Sequence, residues 1–212
     1  MADNFEPLSP LTGVRAAFFA RVTGLDVATD RATALTRLAP AHGELLRARG
    51  FDASRLATAE QVHGDVVVAA REPAVHAGAD ALVTNVRGLA LGIYVADCAA
   101  VFLADRKSRA IGLVHSGRAG TANNIVGRAI GMLRDEFGVE SSDLVAEISP
   151  CIRPPFYESD FAAEIAAQAR DAGAAEVRDA GICTARCVDI YYSYRVERGR
   201  TGRMLAVLAL EP

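Results

Sequence analysis

Between residues 65 and 115 the chain carries five short apolar segments in close succession, and they constrain the fold more than any other feature. Glycine, aspartate, asparagine or an Arg-Lys-Ser tripeptide separates them, and each is shorter than a typical helix. Several are apolar at nearly every position, as expected of strands that are covered on both faces. The segments that we predict to be strands are Asp65–Ala70, Ala79–Thr84, Leu89–Ala96, Ala100–Ala104 and Ala110–His115.

Helical patterns and further strands flank this region. The predicted helices are Thr29–Arg49, Thr121–Phe137 and Asp160–Ala172, and the predicted outer strands are Gly13–Ala20, Leu144–Ile148 and Met204–Leu210. With 212 residues, 51% of them hydrophobic, and no repeat or linker, the chain is predicted to form one α+β domain over residues 1–212.

Particular residues predict where these helices begin and end. We expect Pro40 to divide the first helix in two, because proline lacks an amide donor and clashes with the preceding turn. Gly50 is expected to end it as a C-terminal cap. Thr121 is expected to cap the start of the second helix, and Gly138 to end it.

The composition argues against several classes of protein. The net charge is -3 and no basic patch stands out, so nucleic acid is not an expected partner. The first ten residues lack the basic and apolar regions of a signal peptide. The most apolar stretch, residues 88–104, holds Asp97 at its centre, which disfavours a membrane span. Four unclustered cysteines favour a reducing compartment, so we expect a cytoplasmic protein of undetermined oligomeric state.

Three reactive side chains follow or end predicted strands beside small residues. Two imidazoles, His63 and His115, and the Cys98 thiolate would give zinc three ligands and leave a fourth position open, as in catalytic zinc sites. Copper is a second possibility for the same donors. The spacings of 35 and 17 residues form no compact motif, so a buried cysteine with two hydrogen-bonded histidines is also consistent with the sequence.

The same residues suit nucleophilic chemistry. Either histidine could activate Cys98 as a thiolate, as in cysteine hydrolases. The neighbouring Asp97 could orient a histidine, take part in proton transfer or cap a turn. His42, on a predicted helix, is expected at the surface.

A turn rich in small residues separates the last of the five strands from the second helix. It contains Ser116, Gly117 and Arg118, and free amides at the helix start together with the Arg118 charge could bind phosphate there. A plain tight turn with an exposed arginine is the alternative.

Ordered motifs connect the chain to a known family. They are Gln61-Val62-His63-Gly64, Gly78-Ala79-Asp80-Ala81-Leu82-Val83-Thr84, Ala96-Asp97-Cys98, His115-Ser116-Gly117, Pro150-Cys151-Ile152, Cys183-Thr184, Ser193-Tyr194-Arg195 and Thr201-Gly202-Arg203. From about Gln61 to Leu210 the chain resembles the YfiH-like family, whose members are often labelled laccase-domain or polyphenol oxidase proteins. Members are also described as zinc-dependent purine nucleoside phosphorylases and adenosine deaminases.

The resemblance implies a fold, a site and an activity. The fold would be a single-domain α/β sandwich with mixed sheets flanked by helices. His63, Cys98 and His115 match the family's metal ligands, and with Asp97 they are the predicted catalytic residues. The predicted substrate contacts are Gln61, His42, Ser116, Gly117, Arg118 and Arg195. The implied reactions are phosphorolysis of adenosine, inosine, guanosine or methylthioadenosine and hydrolytic deamination of adenosine, so the partners would be a small-molecule nucleoside and phosphate.

The chain also departs from the family pattern. Members usually have His-Ala-Gly-Trp-Arg-Gly where this chain has His115-Ser116-Gly117-Arg118-Ala119-Gly120, and this chain contains no tryptophan. In family members an arginine of the N-terminal helix is thought to serve the active site, and the corresponding position in this chain is His42. These departures make a binding protein without catalysis one alternative to the nucleoside enzyme. Roles and labels attached to the family give two others, a thiol hydrolase that edits peptidoglycan precursors and a copper phenol oxidase.

Overall fold

The computed structural model describes residues 5–212, which form eleven strands and four α-helices. The strands are β1 (Val14–Phe19), β2 (Leu56–Ala59), β3 (Val67–Ala69), β4 (Val75–His76), β5 (Ala81–Thr84), β6 (Ala90–Val95), β7 (Ala99–Asp105), β8 (Ile111–Ser116), β9 (Leu144–Ile148), β10 (Glu176–Asp179) and β11 (Met204–Leu210). The helices are α1 (Arg31–Ala48), α2 (Arg118–Ala122), α3 (Ile125–Phe137) and α4 (Phe161–Asp171). All eight predicted strands are confirmed.

The strands form two mixed sheets. One has the order β1-β11-β6-β2-β4 and the other the order β10-β9-β7-β8-β5-β3. In the first, β11 is antiparallel to both neighbours, whereas β2 is parallel to β6 and β4. In the second, β7 and β8 are antiparallel to each other and to their outer neighbours, and the edge strands β10 and β3 are parallel additions.

The two sheets pack against each other and helices cover their outer faces. Phe102 and Leu113 of the second sheet share a buried cluster with Ile93 and Leu208 of the first. The opposite face of the second sheet packs against the apolar sides of α3 and α4, and Leu46 of α1 belongs to the cluster on the outer face of the first. Burial on both faces explains the apolar strands β5 and β7–β9. The α/β sandwich with mixed sheets is therefore confirmed.

The predicted division of the first helix at Pro40 is wrong. α1 runs unbroken through this residue because Ala34, Leu38 and Leu46 anchor one face in the core, while Pro40 lies on the exposed face. The carbonyl of Thr36, which loses its amide donor, belongs to an exposed residue and can bond to water.

Gly50 ends α1 as predicted. Its φ is +74°, and its amide donates to the carbonyl of Arg47 while the amide of Phe51 donates to that of Leu46. This pair of bonds is the Schellman arrangement, which requires a left-handed residue that glycine adopts without strain.

The predicted cap at Thr121 is also wrong. Thr121 lies inside the short helix α2, where its hydroxyl contacts that of Ser116 at 2.9 Å. α3 starts only after Asn124, which adopts a φ of +55° and accepts a hydrogen bond from the amide of Gly127. Gly138 ends α3 as predicted. Among residues 5–212, no helix combines the length and apolar character needed to cross a bilayer.

Candidate active site

His63, Cys98 and His115 converge at one end of the two sheets. One ligand atom from each lies within 4.8 Å of the others, and the two imidazole centroids are 4.9 Å apart at 74°. Two imidazole nitrogens and a thiol sulfur are a donor set that zinc accepts, with a fourth position left for water or substrate. The residues present therefore fit the metal that the sequence predicted.

The topology explains why such distant positions meet. His63 lies in the loop from β2 to β3, and Cys98 in the turn from β6 to β7; both segments pass from the first sheet to the second. The register of β7 and β8 pairs Ala100 with His115, so the histidine lies beside the start of the strand that follows Cys98.

Asp80 holds the loop of His63 and the ring of His115 in position. Its fully buried carboxylate accepts hydrogen bonds from the amides of Val62, His63 and Gly64 at 3.2, 3.0 and 2.7 Å, and lies 2.7 Å from Nδ1 of His115. Although burial opposes ionisation, these bonds lower the pKa of Asp80. With Nδ1–H donated to the carboxylate, Nε2 of His115 is the nitrogen left to bind a metal.

The same carboxylate stabilises a strained loop. Gln61 and His63 have φ values of +66° and +62°, a region that costs free energy for residues other than glycine. The sequence motif contained Asp80, but its role was missed. The available signal was a lone acid in a predicted strand that is otherwise apolar.

The thiol and imidazole of the cluster stabilise each other's charged forms. Burial opposes both charges, but the imidazoles of His115 and His63 lower the pKa of Cys98 to about 6. Burial is likewise outweighed at His115, where the Cys98 thiolate and Asp80 raise the pKa to about 9. A thiolate beside an imidazolium at neutral pH suits nucleophilic attack. A metal bound here would take the thiolate as it is and would displace the proton from Nε2 of His115.

The predicted turn after β8 leads into a short helix, and its contribution to the site is the close approach of Gly117 to Cys98. A Cβ on Gly117 would lie 2.5 Å from Sγ of Cys98, so only glycine fits there without displacing the thiol. Arg118 is exposed, faces the cavity and approaches Glu158 at 3.6 Å. Ser116 is fully buried and does not line the cavity.

Asp97 binds a neighbouring loop and not a histidine. Its carboxylate accepts from the hydroxyls of Thr184 (2.7 Å) and Ser193 (3.1 Å) and from the amide of Arg195 (2.7 Å). Of the three roles that the sequence allowed, capping a turn is the one that these contacts match. The side chain of Arg195 lines the cavity, pairs with Glu158 at 2.9 Å and lies over the ring of Tyr157.

Two other predicted contacts lie behind the cavity. The side-chain amide of Gln61 bonds to the backbone of Tyr94. Its Nε2 donates to the carbonyl of Tyr94 (2.6 Å), and its Oε1 accepts from the amide of Tyr94 (2.9 Å). His42 is not at the surface as predicted: it is only 2% exposed and packs against Tyr94, because its position on α1 continues the buried stripe. It does not line the cavity, whereas Arg31 at the start of the same helix does.

A cavity of about 890 Å³ opens in front of His63 and Cys98. Tyr157, Phe161 and Tyr194 give it aromatic walls, and four arginines line it: Arg31, Arg118, Arg195 and Arg203. The sequence alone did not indicate the role of the three aromatic residues, of Arg31 or of Arg203. Only the proximity created by folding distinguishes them from other tyrosines and arginines.

Comparisons with known proteins agree with this architecture. The sequence profile described as "Multi-copper polyphenol oxidoreductase laccase" matches residues 13–173 and 157–211. A relative from Deinococcus radiodurans named "Purine nucleoside phosphorylase" is 33% identical over 207 residues, which cover 85% of this chain and 80% of the relative.

Two solved structures have the same fold. YlmD from Geobacillus stearothermophilus superposes with a TM-score of 0.86 at 23% identity, over 96% of this chain and 94% of that one. YfiH from Bacillus licheniformis gives 0.82 at 19% identity, over 93% of each chain. Because the family profile covers nearly the whole chain, and the relative and both folds agree with it, this chain belongs to the multi-copper polyphenol oxidoreductase laccase family, the YfiH-like proteins that its motifs resemble.

Proposed function

We propose that the chain is a zinc-dependent purine nucleoside phosphorylase that also deaminates adenosine, with adenosine, inosine, guanosine and methylthioadenosine as substrates. The observation that carries this proposal is the opening of the His63–Cys98–His115 cluster into a cavity with aromatic walls and arginines. The volume of about 890 Å³ lies within the range of small-molecule sites. The name of the Deinococcus relative supports the same class of enzyme.

His63, Cys98 and His115 would hold the zinc, and copper is the alternative ion for this donor set. When bound, the ion supplies Lewis-acid polarisation at the substrate atom that is being attacked. Asp80 keeps His115 in one tautomer, and Gly117 leaves the space that the Cys98 sulfur needs. Within residues 5–212 this is the single cluster of three such ligands, which favours a one-metal centre over a multi-copper one.

The cavity walls suit a nucleoside. Tyr157, Phe161 and Tyr194 offer apolar faces for a purine. In phosphorolysis an oxygen of hydrogen phosphate bonds to C1′ of the ribose while the C1′–N9 bond breaks. The bonding electrons leave with the purine, which takes up the phosphate's proton, and ribose 1-phosphate is released. In deamination, water adds to C6 of adenosine and ammonia departs, leaving inosine.

A thiol hydrolase is the second candidate, because the pKa of Cys98 is lowered to about 6 beside a protonated His115. In that case an exchangeable metal would be unnecessary and Cys98 itself would attack the substrate.

The location that we expect remains the cytoplasm, and the four cysteines, none of them in a disulfide, are consistent with it.

The test combines metal analysis with turnover. Wild type, Cys98→Ala and the matched control Cys187→Ala would be purified without chelator or tag. Zinc would be measured by mass spectrometry, and hypoxanthine release from inosine with and without phosphate. We expect near-stoichiometric zinc and phosphate-dependent release in wild type and Cys187→Ala, with both lost in Cys98→Ala. Metal-free wild type whose Cys98 alkylates rapidly would refute the zinc enzyme and favour the thiol hydrolase.

A further inference from the structure

Two of the cavity arginines have no carboxylate partner among residues 5–212. Arg203 is only 8% exposed, and its Nη1 donates to the carbonyls of Thr201 and Gly202 at 2.9 Å each. Its Nε and Nη2 form no hydrogen bond to this part of the chain, and Arg203 lines the cavity. Arg31 donates to the carbonyl of Glu60 at 3.1 Å and likewise forms no ion pair there.

Both arginines line the same cavity. Burial, and after it the charge of Arg31, lowers the pKa of Arg203. Like charges that share a partly desolvated site repel, and a buried charge is costly unless a counter-charge accompanies it. A bound anion in this cavity would offset both penalties.

The other charged groups of the cavity are already engaged. Arg118 and Arg195 are both more than half exposed and share Glu158. The carboxylate of Asp30 accepts from the amide and hydroxyl of Thr33, and Asp97 is held by the hydrogen bonds described above. Of the four cavity arginines, Arg31 and Arg203 are therefore the two that form no ion pair with a carboxylate among residues 5–212.

We propose that Arg31 and Arg203 hold inorganic phosphate as the co-substrate of phosphorolysis, an assignment that rests on the proposed function. A guanidinium presents parallel N–H donors in a rigid fork that matches two oxygens of a phosphate, and Arg203 has an adjacent pair, Nε and Nη2, unused. This assignment replaces the turn at Gly117, which leads into a helix of only five residues.

The test measures binding of inorganic phosphate by titration calorimetry in wild type, Arg31→Gln and Arg203→Lys. The lysine variant keeps a buried charge and guards against unfolding, but it loses the fork. Arg37→Gln is the matched control, since Arg37 lies on the same helix, is exposed and pairs with Asp26 away from the cavity. Arg118→Gln tests the alternative position at the turn.

We expect phosphate to bind about 10- to 100-fold more weakly in Arg31→Gln and Arg203→Lys, the range for lost hydrogen bonds to a charged group. Arg37→Gln should bind as wild type does. In turnover, the KM for phosphate should rise by a similar factor in the two variants while the KM for inosine stays within about twofold.

Other outcomes separate this proposal from the function on which it rests. Arginine-dependent phosphate binding without any phosphorolysis would support the anion site and refute the phosphorylase. Phosphate binding that both variants retain, or that only Arg118→Gln loses, would overturn the site. Adenosine 5′-monophosphate is the last arm: if it binds through Arg31 while inorganic phosphate does not bind, the anion belongs to the substrate and the co-substrate assignment is overturned.

Discussion

At the scale of single residues, Gly117 determines whether Cys98 can occupy its position. A Cβ at residue 117 would lie 2.5 Å from the sulfur, far inside van der Waals contact, and the thiol is confined by the two imidazoles. The conformation of Gly117 is one that any residue adopts, so the requirement is for space and not for a special φ. The glycine therefore acts on the His63–Cys98–His115 cluster through packing.

Gly117→Ala should weaken zinc binding at least about 10-fold, because the added methyl displaces a ligand. Gly131→Ala is the matched control, since its Cβ would meet only the end of Arg134 at 3.9 Å on α3. Competition with a chromophoric zinc chelator measures both affinities. Equal affinities in the two variants would show that the sulfur can move without loss.

His42 is a buried polar residue with an energetic cost. Both ring nitrogens are buried, and neither has a hydrogen-bond partner among residues 5–212. Burial lowers its pKa from 6.5 to about 4. Between these values the unfolded chain binds a proton that the folded chain excludes, so the stability of the folded state falls as the pH falls through this window.

His42→Leu should remove this pH dependence. Relative to the variant, wild type should lose about 3 kcal/mol between pH 7 and pH 4, since one unit corresponds to about 1.36 kcal/mol. Urea unfolding of both proteins at each pH gives the difference, in which the other titrating groups cancel. Parallel stability curves would contradict the assignment of a neutral, buried imidazole.

At the scale of secondary structure, α1 illustrates how packing overrides a local signal. Proline disfavours a helix interior by about 3 kcal/mol relative to alanine, yet α1 continues through Pro40. The buried stripe is spaced four residues apart, and its contacts lie on both sides of the proline. The exposed position of Pro40 limits the loss to one hydrogen bond that water can replace.

Pro40→Ala should stabilise the protein by about 1–3 kcal/mol, because it restores the amide donor for Thr36 and is partly offset by a more flexible unfolded chain. Glu44→Ala, an exposed position on the same helix, should change stability by less than about 0.5 kcal/mol. Urea unfolding at pH 7 measures both. A loss of stability in Pro40→Ala would contradict this expectation and indicate that the proline itself contributes to the folded state.

At the scale of the whole molecule, the site depends on both sheets at once. His63 and Cys98 lie on segments that cross from one sheet to the other, while His115 belongs to the second sheet alone. A metal held by these residues would cross-link the layers of the sandwich. Binding to the folded state alone stabilises it in proportion to the logarithm of the ligand concentration.

Zinc at about 100 times its dissociation constant should add about 2.7 kcal/mol to stability. For a domain of this size that corresponds to a rise in Tm of about 5–10 °C, which a chelator should reverse. Differential scanning calorimetry measures the shift, with Cys98→Ala as the control that should not respond. A response of the same size in that variant would place the zinc elsewhere.

Most of the elements could be predicted from the sequence alone. Apolar runs bounded by turn residues predict strands such as β5–β9, because the period of the pattern is a local property. The amphipathic pattern of Asp160–Ala172 likewise predicts α4, with Ser159 or Asp160 as its cap, and the structure has the cap at Asp160. The three candidate ligands were found in the same way, since imidazoles and a thiol at strand ends are chemically conspicuous.

Only the tertiary structure determines which side chains are buried, paired or exposed to the cavity, because local sequence patterns carry no information about distant segments. The role of Asp80, the burial of His42 and the cavity position of Arg31 and Arg203 follow from contacts between segments far apart in the chain. An aspartate, histidine or arginine has the same local pattern whether it is solvated or buried. Its environment is set by which loops the two packed sheets bring together, so its chemistry is a property of the fold.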